Sequence, residues 1–254
     1  MSVDGRVVYI ITKLELGGAQ KVCLALHQDL KKNKMVSTLI SGKEGALVQE
    51  AGKSDHVILL EDFKREVGFG LFLYELRAFW NLYKVLRSIV KKHPDIIVHT
   101  HSTKAGIMGR WAAFFARVKY RIHTVHGFGF HDYQPWHTWY MIFIFEWITS
   151  LITSHFVCVS EKDKAVGSKK LPFFARKSSI IRAAVDDEKY QMAKKSSNKW
   201  HEGTKIVIGT IACFKPQKNM IDLLRSFYKL KIDFLFQCSR CYLLKLLVMV
   251  SSGR

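Results

Sequence analysis

Short runs of β-branched and apolar residues alternate along this chain with longer stretches whose apolar residues recur at three- and four-residue steps. That alternation constrains the fold more than any other feature. Val7-Val8-Tyr9-Ile10-Ile11 reads as a strand, followed by Gly17-Gly18 and a helix carrying Val22, Leu24, Ala25 and Leu26 up to Leu30. Residues 38–40 and 57–60 read as strands and residues 71–90 as a long helix, closed by the cations Lys91 and Lys92 and stopped by Pro94. The pattern continues with strands near 96–99, 121–125, 156–159 and 180–181, separated by helices near 105–115 and 140–152. Strands alternating with helices predict an α/β chain with a mostly parallel sheet covered by helices on both faces.

The first such domain is expected over residues 1–190. The sequence turns polar from Asp186, and residues 191–203, with Lys194-Lys195-Ser196-Ser197-Asn198, read as a linker. A second domain is expected to start at 204–230, with a strand at Lys205-Ile206-Val207-Ile208-Gly209 and a helix from Met220 to Leu230. Residues 231–254 have another texture: apolar and basic, with Asp233 as the only acid and no turn residues before Ser251-Ser252-Gly253. The alternation is not expected to continue there, and an out-of-frame tail would account for the change.

Composition narrows the partners. With 48% hydrophobic and 24% charged residues in 254, the chain has material for a packed core. Five scattered cysteines, most within apolar runs, read as buried thiols in a reducing, cytoplasmic compartment. Cys238-x-x-Cys241 has neither a second pair nor a nearby histidine, so no metal is expected. The first residues lack the basic and apolar regions of a signal peptide. The apolar stretch from Trp139 to Ile152 is broken by Glu146 and falls short of the roughly 20 residues needed to span a bilayer. It reads either as a core helix or as a segment that touches a membrane without crossing it. The net charge of +19 calls for an anionic partner or surface. The cations are dispersed and match no zinc-finger, RNP or basic-zipper pattern, so nucleic acid is not expected.

Three clusters carry candidate chemistry. Gly17-Gly18 lets backbone approach a ligand and presents helix N-terminal N–H groups to an anion; Gln20 is placed to cap that helix or to bond a ligand. In His99-Thr100-His101-Ser102-Thr103-Lys104-Ala105-Gly106 a buried strand ends in alternating histidines, at the carboxyl edge where ligands sit in open α/β sheets. Zinc would require a third ligand, so hydrogen-bonding histidines are the better reading. In His123-Thr124-Val125-His126-Gly127, His126 stands at a strand end beside Gly127 and Gly129. It is expected to face an open crevice, while the period of two turns His123 elsewhere.

Taken in order, Gly17-Gly18-Ala19-Gln20, His101 to Arg110, His123 to Gly127 and Val157-Cys158-Val159-Ser160-Glu161 resemble the family-4 retaining glycosyltransferases of bacterial capsule, lipopolysaccharide and exopolysaccharide assembly. The resemblance covers roughly residues 5 to 230. It implies the Rossmann-like N-terminal half of a GT-B fold plus an incomplete second domain, the first mainly holding the acceptor and the second the nucleotide-sugar. By the same resemblance Gly17 and Gly18 lie under the transferred sugar and diphosphate. His126 bonds the sugar near the reacting carbon as the candidate catalytic residue, while Gln20, His101, Lys104 and Gly127 line the acceptor side or cleft. Lys218 matches the family's phosphate-binding lysine, and Lys215 substitutes for an arginine whose position holds Cys213. The implied substrates are a nucleotide-sugar and a lipid-linked or saccharide acceptor, without a cofactor or bound metal, at the cytoplasmic face of an anionic membrane. The family's pair of glutamates eight positions apart has no counterpart, because no glutamate follows Glu202. A frameshift or early stop after about Leu230 is therefore expected, leaving a chain inactive alone. The alternatives are a non-catalytic acceptor- or partner-binding module and, more weakly, a basic nucleic-acid binder.

Overall fold

The computed structural model describes residues 6–52, 56–64, 72–131, 134–183, 206–212, 219–237 and 244–250. They fall into two compact units, Met1–Ala184 and Val185–Arg254.

The first unit is a seven-stranded, wholly parallel sheet. Its strands are β1 (Val7–Ile10), β2 (Ser37–Gly42), β3 (Val57–Leu60), β4 (Ile97–His101), β5 (Tyr120–Val125), β6 (His155–Cys158) and β7 (Ser178–Ile180). They lie in the order β3-β2-β1-β4-β5-β6-β7. The chain therefore builds outward from β1 in one direction, returns, and builds outward from β4 in the other, which makes the β1/β4 boundary the topological switch point. In the register Tyr9 stands beside His99, and His99 beside Ile122.

Alternate residues of β1 feed opposite layers. Tyr9 and Ile11 pack with Cys23 and Leu24 of α1 (Gly18–Lys32) and with Ala51 of the short α2 (Val48–Ala51). Val8 and Ile10 pack on the other face with Ala78, Leu82 and Leu86 of α3 (Phe72–Lys92), with Ala105, Ala112 and Ala113 of α4 (Thr103–Phe115) and with Ala116, which caps it. Helices thus cover both faces, as the alternation requires. The small residues of α4 are a packing demand: a Cβ on Gly106 would stand 2.5 Å from the His123 ring, and one on Gly109 would stand 2.8 Å from Thr100 Cγ2.

Helix α5 (Trp136–Ile152) inverts the usual pattern. Its buried residues are Glu146, Thr149 and Ser150, while Trp136, Tyr140, Ile144, Phe145 and Leu151 are exposed. The polar side packs on α4. Arg110 donates from its guanidinium to Glu146 Oε1 at 2.7 Å, to Thr153 Oγ1 at 2.9 Å and to the Gly106 carbonyl at 2.7 Å. Trp111 Nε1 donates to Thr149 Oγ1 at 2.9 Å. The glutamate that interrupts the apolar run is therefore the partner of a buried arginine. No helix among the described residues is long and apolar enough to cross a membrane. Helix α6 (Glu161–Lys170) starts at Ser160, whose Oγ accepts the Asp163 N–H at 3.1 Å, and is followed by a 3-10 helix (Phe174–Lys177).

The second unit contains β8 (Ile206–Ala212), α7 (Met220–Gln237) and β9 (Leu244–Val250), with the two strands paired in parallel from Ile206 opposite Leu244 to Ala212 opposite Val250. The alternation thus continues past Leu230, contrary to the sequence expectation. Helix α7 runs seven residues further, and the run Leu244-Lys245-Leu246-Leu247-Val248-Met249-Val250 supplies a strand without flanking glycine or proline to mark it.

Candidate functional site

The candidate site stands at the carboxyl ends of β1, β4 and β5. Beyond β1 the chain passes through Thr12 to Gly17, which caps α1 in an extended conformation. Gln20 folds back over it, with its amide oxygen 2.5 Å from where a Cβ on Gly17 would lie. A Cβ on Gly18 would meet nothing within 4 Å. The first turn of α1 holds no acid and no side-chain cap from Gly17, so its leading N–H groups and the positive end of the helix dipole are presented to an anion.

At the end of β4, Ser102 caps α4 with φ 64° and ψ 154°, a conformation costing a serine on the order of 1–3 kcal/mol. Two bonds hold it there. Thr12 Oγ1 lies 2.7 Å from Ser102 Oγ and accepts the Ala105 N–H at 3.1 Å. Sequence reasoning missed Thr12; its signal is a hydroxyl placed directly after the apolar run of β1. At the end of β5, Gly127 has φ +108°, which favours glycine, and a Cβ there would meet nothing within 4 Å. Gly129 lies against Thr103, whose Oγ1 would be 2.5 Å from an added Cβ.

Between these loops lies a row of imidazoles. His99 and His101 point to the same side of β4 and stack with centroids 4.6 Å apart, beside Tyr9. His99 Nε2 is 2.7 Å from Thr124 Oγ1, and His101 Nδ1 is 3.0 Å from His126 Nε2. His101 is fully buried and His126 half-buried. His123 lies in the opposite layer, bonded through Nδ1 to Thr100 Oγ1 at 2.9 Å. Burial, reinforced by His126, brings the His99 pKa down to about 4. Burial also holds His101 well below the usual range, with the neighbouring imidazoles adding to it. For His123 burial acts first and Arg110 second, and for His126 burial outweighs the opposing influence of Asp163. Uncharged at neutral pH, these rings offer hydrogen bonds rather than positive charge.

The structure thus brings Gly17, Gly18, Gln20, His101, His126 and Gly127 to the ends of adjacent strands. Lys104 departs from the expected place: its ammonium donates to Glu75 of α3 at 2.5 Å, on the opposite layer from the imidazole row. Lys215 and Lys218 lie outside the described residues. Among the described residues no three histidine, cysteine, aspartate or glutamate side chains gather in a way that could hold a metal ion.

A wholly parallel sheet reversing between β1 and β4, with helices on both faces, defines a Rossmann-like fold of the kind that forms the N-terminal half of GT-B proteins. A sucrose-phosphate synthase from Thermosynechococcus elongatus aligns with a TM-score of 0.64 at 14% identity, covering 98% of this chain and 63% of that one. The UDP-GlcNAc 2-epimerase of Methanocaldococcus jannaschii aligns at 0.56 and 11% identity, covering 98% and 74%. At such identities the likeness is one of fold. Residues 16–189 match the Glycosyltransferase Family 4 profile, and the chain belongs to that family. An Escherichia coli relative, UDP-Gal:alpha-D-GlcNAc-diphosphoundecaprenol alpha-1,3-galactosyltransferase, is 31% identical over 181 residues, which are 70% of this chain. The match spans 44% of that relative's length.

Proposed function

We propose that this chain supplies the acceptor side of a transferase that moves a sugar from a nucleotide-sugar to a lipid-linked acceptor in bacterial surface polysaccharide synthesis. The reaction is proposed to retain anomeric configuration and to use no bound metal. The observation that carries the reading is that His126, bonded to His101 at the ends of β4 and β5, and the first turn of α1 after β1 stand at the same carboxyl edge of adjacent strands. The uncharged imidazole would bond a sugar hydroxyl and the helix end would face the diphosphate. The E. coli relative's diphosphoundecaprenol acceptor and UDP-galactose donor are the first ligands to try.

Transfer is proposed to require the glutamate pair that this sequence lacks after Glu202, so the chain alone should bind acceptor without turning over. Calorimetric titration with a short-chain GlcNAc-diphospholipid should show binding that His126→Ala weakens. No binding would remove the acceptor reading, and galactose transfer by this chain alone would remove the requirement for the pair. A partner-binding module is the second reading; its mark would be capture of a donor-domain protein without acceptor binding.

The membrane part of the proposal rests on α5, whose outward face carries Trp136, Tyr140, Ile144 and Leu151. Aromatic residues favour the bilayer interface, and cations near anionic lipid contribute about 1 kcal/mol each. We assign the occupant of this face as an anionic bilayer, in keeping with the net charge of +19. Co-sedimentation with phosphatidylglycerol vesicles should fall with salt and with the Ile144→Ser substitution; binding indifferent to both would exclude the assignment.

A further inference from the structure

His101 Nδ1 and His126 Nε2 are 3.0 Å apart, so one nitrogen carries the shared hydrogen and the other accepts it. The remaining nitrogen of His101 decides which. His101 is fully buried, and its Nε2 is sealed from solvent without a hydrogen-bond partner. If His126 were the donor, neutral His101 would carry its own hydrogen on Nε2, leaving a buried N–H with no acceptor. Orphaned buried donors are the rarer and costlier outcome. With the hydrogen on Nδ1, the unpaired Nε2 is only a lone pair. The stack on His99, 29° from parallel, together with Tyr9, opposes a ring flip that would put Cδ2 in the place of Nδ1.

We infer that His101 is a positioning residue that donates from Nδ1 to His126 and thereby fixes His126 as its Nδ1–H form. His126 then presents a hydrogen-bond donor to whatever enters the crevice. The ligand group it takes is an oxygen acceptor, such as a sugar hydroxyl or a phosphoryl oxygen; this last step rests on the proposed function. Which imidazole nitrogen is protonated is set by the bond made at the other. Asp163, a carboxylate that acts electrostatically on His126, accepts a hydrogen bond from Ser160 Oγ at 2.6 Å and stands as the alternative orienter.

Long-range proton–nitrogen correlation spectra of the histidine-labelled chain at neutral pH test this without any ligand. His126 should show a protonated Nδ1 and an unprotonated Nε2. His101→Phe should abolish that pattern in favour of Nε2–H, whereas His101→Asn, whose side-chain amide reaches where Nδ1 was, should restore it. Asp163→Asn should leave it unchanged. An Nε2–H form of His126 in the unaltered chain, or a pattern that responds to Asp163→Asn and not to His101→Phe, would overturn the assignment. The unaltered chain alone decides the tautomer should His101→Phe fail to fold. A fixed Nδ1–H together with no binding of the GlcNAc-diphospholipid would uphold the role of His101 and remove the acceptor reading instead.

Discussion

Helix α4 packs beside two other helices, and it is held to them by different chemistry. Toward α3 its alanines Ala105, Ala112 and Ala113 share an apolar cluster with Leu82 and Leu86, and the Lys104–Glu75 ion pair is the polar contact there. Toward α5 it presents Arg110 and Trp111, which bond Glu146, Thr153 and Thr149, so the buried side of α5 is polar and its outward side apolar. An apolar contact tolerates small displacements, because it is non-directional. A buried ion pair stabilises only when its geometry is satisfied, and losing one partner strands a charge. The α3 side is therefore the contact more tolerant of displacement, and the α5 side is the one with a defined polar arrangement.

Acid should separate the two sides most strongly. His123, beneath α4 on the same layer as Arg110, and His99 and His101 at the strand ends have folded pKa values depressed below the ordinary 6.5. Above pH 6.5 neither folded nor unfolded chain protonates them. Below it the unfolded chain takes up protons the folded chain refuses, so stability falls with pH, for His99 until about 4. Each such group contributes up to about 1.4 kcal/mol per pH unit. Urea unfolding at a series of pH values should show this limb, and His123→Leu should flatten it; a limb unchanged by that substitution would break the comparison.

Next in size, Glu146→Leu should cost about 4 kcal/mol by leaving Arg110 buried and unpaired, which thermal unfolding would report. Leu82→Ala on the α3 side should cost about 3 kcal/mol through the cavity it leaves, equally at pH 7.5 and pH 5.5. Thr149→Val should cost about 1 kcal/mol, the value of the indole hydrogen bond. Smallest of all, Ile144→Ser on the outer face should change stability by less than about 0.5 kcal/mol. A large loss there would mean that the outer face is core after all.

The strand–helix alternation made the first domain legible, because β-branched runs and three-four spacing are local signals. The position of His126 was legible for the same reason: residues 122, 124 and 126 share a side by the period of two, which also sends His123 to the opposite layer. The inversion of α5 was not legible. An apolar helix with one glutamate reads alike whether its apolar side faces core or solvent, and only the distant Arg110 settles the question. The bond of Lys104 to Glu75 was not legible for a similar reason, since the two lie 29 positions apart. The strand at residues 244–250 was missed because its leucine-rich run lacks punctuation, and its pairing with β8 is a long-range fact.

The bond between Thr12 and Ser102 joins residues 90 positions apart across the switch point. Neighbouring strands there send their chains in opposite directions, so the two loops diverge and no backbone ladder ties them together. Thr12 Oγ1 acts as the rivet, bonded both to Ser102 Oγ and to the Ala105 N–H. The loop leading to α1 and the first turn of α4 are thus tied through one threonine side chain. Ser102 keeps its strained backbone as the cost of that link, and a glycine there would ease the strain while leaving only the Ala105 N–H to bond Thr12.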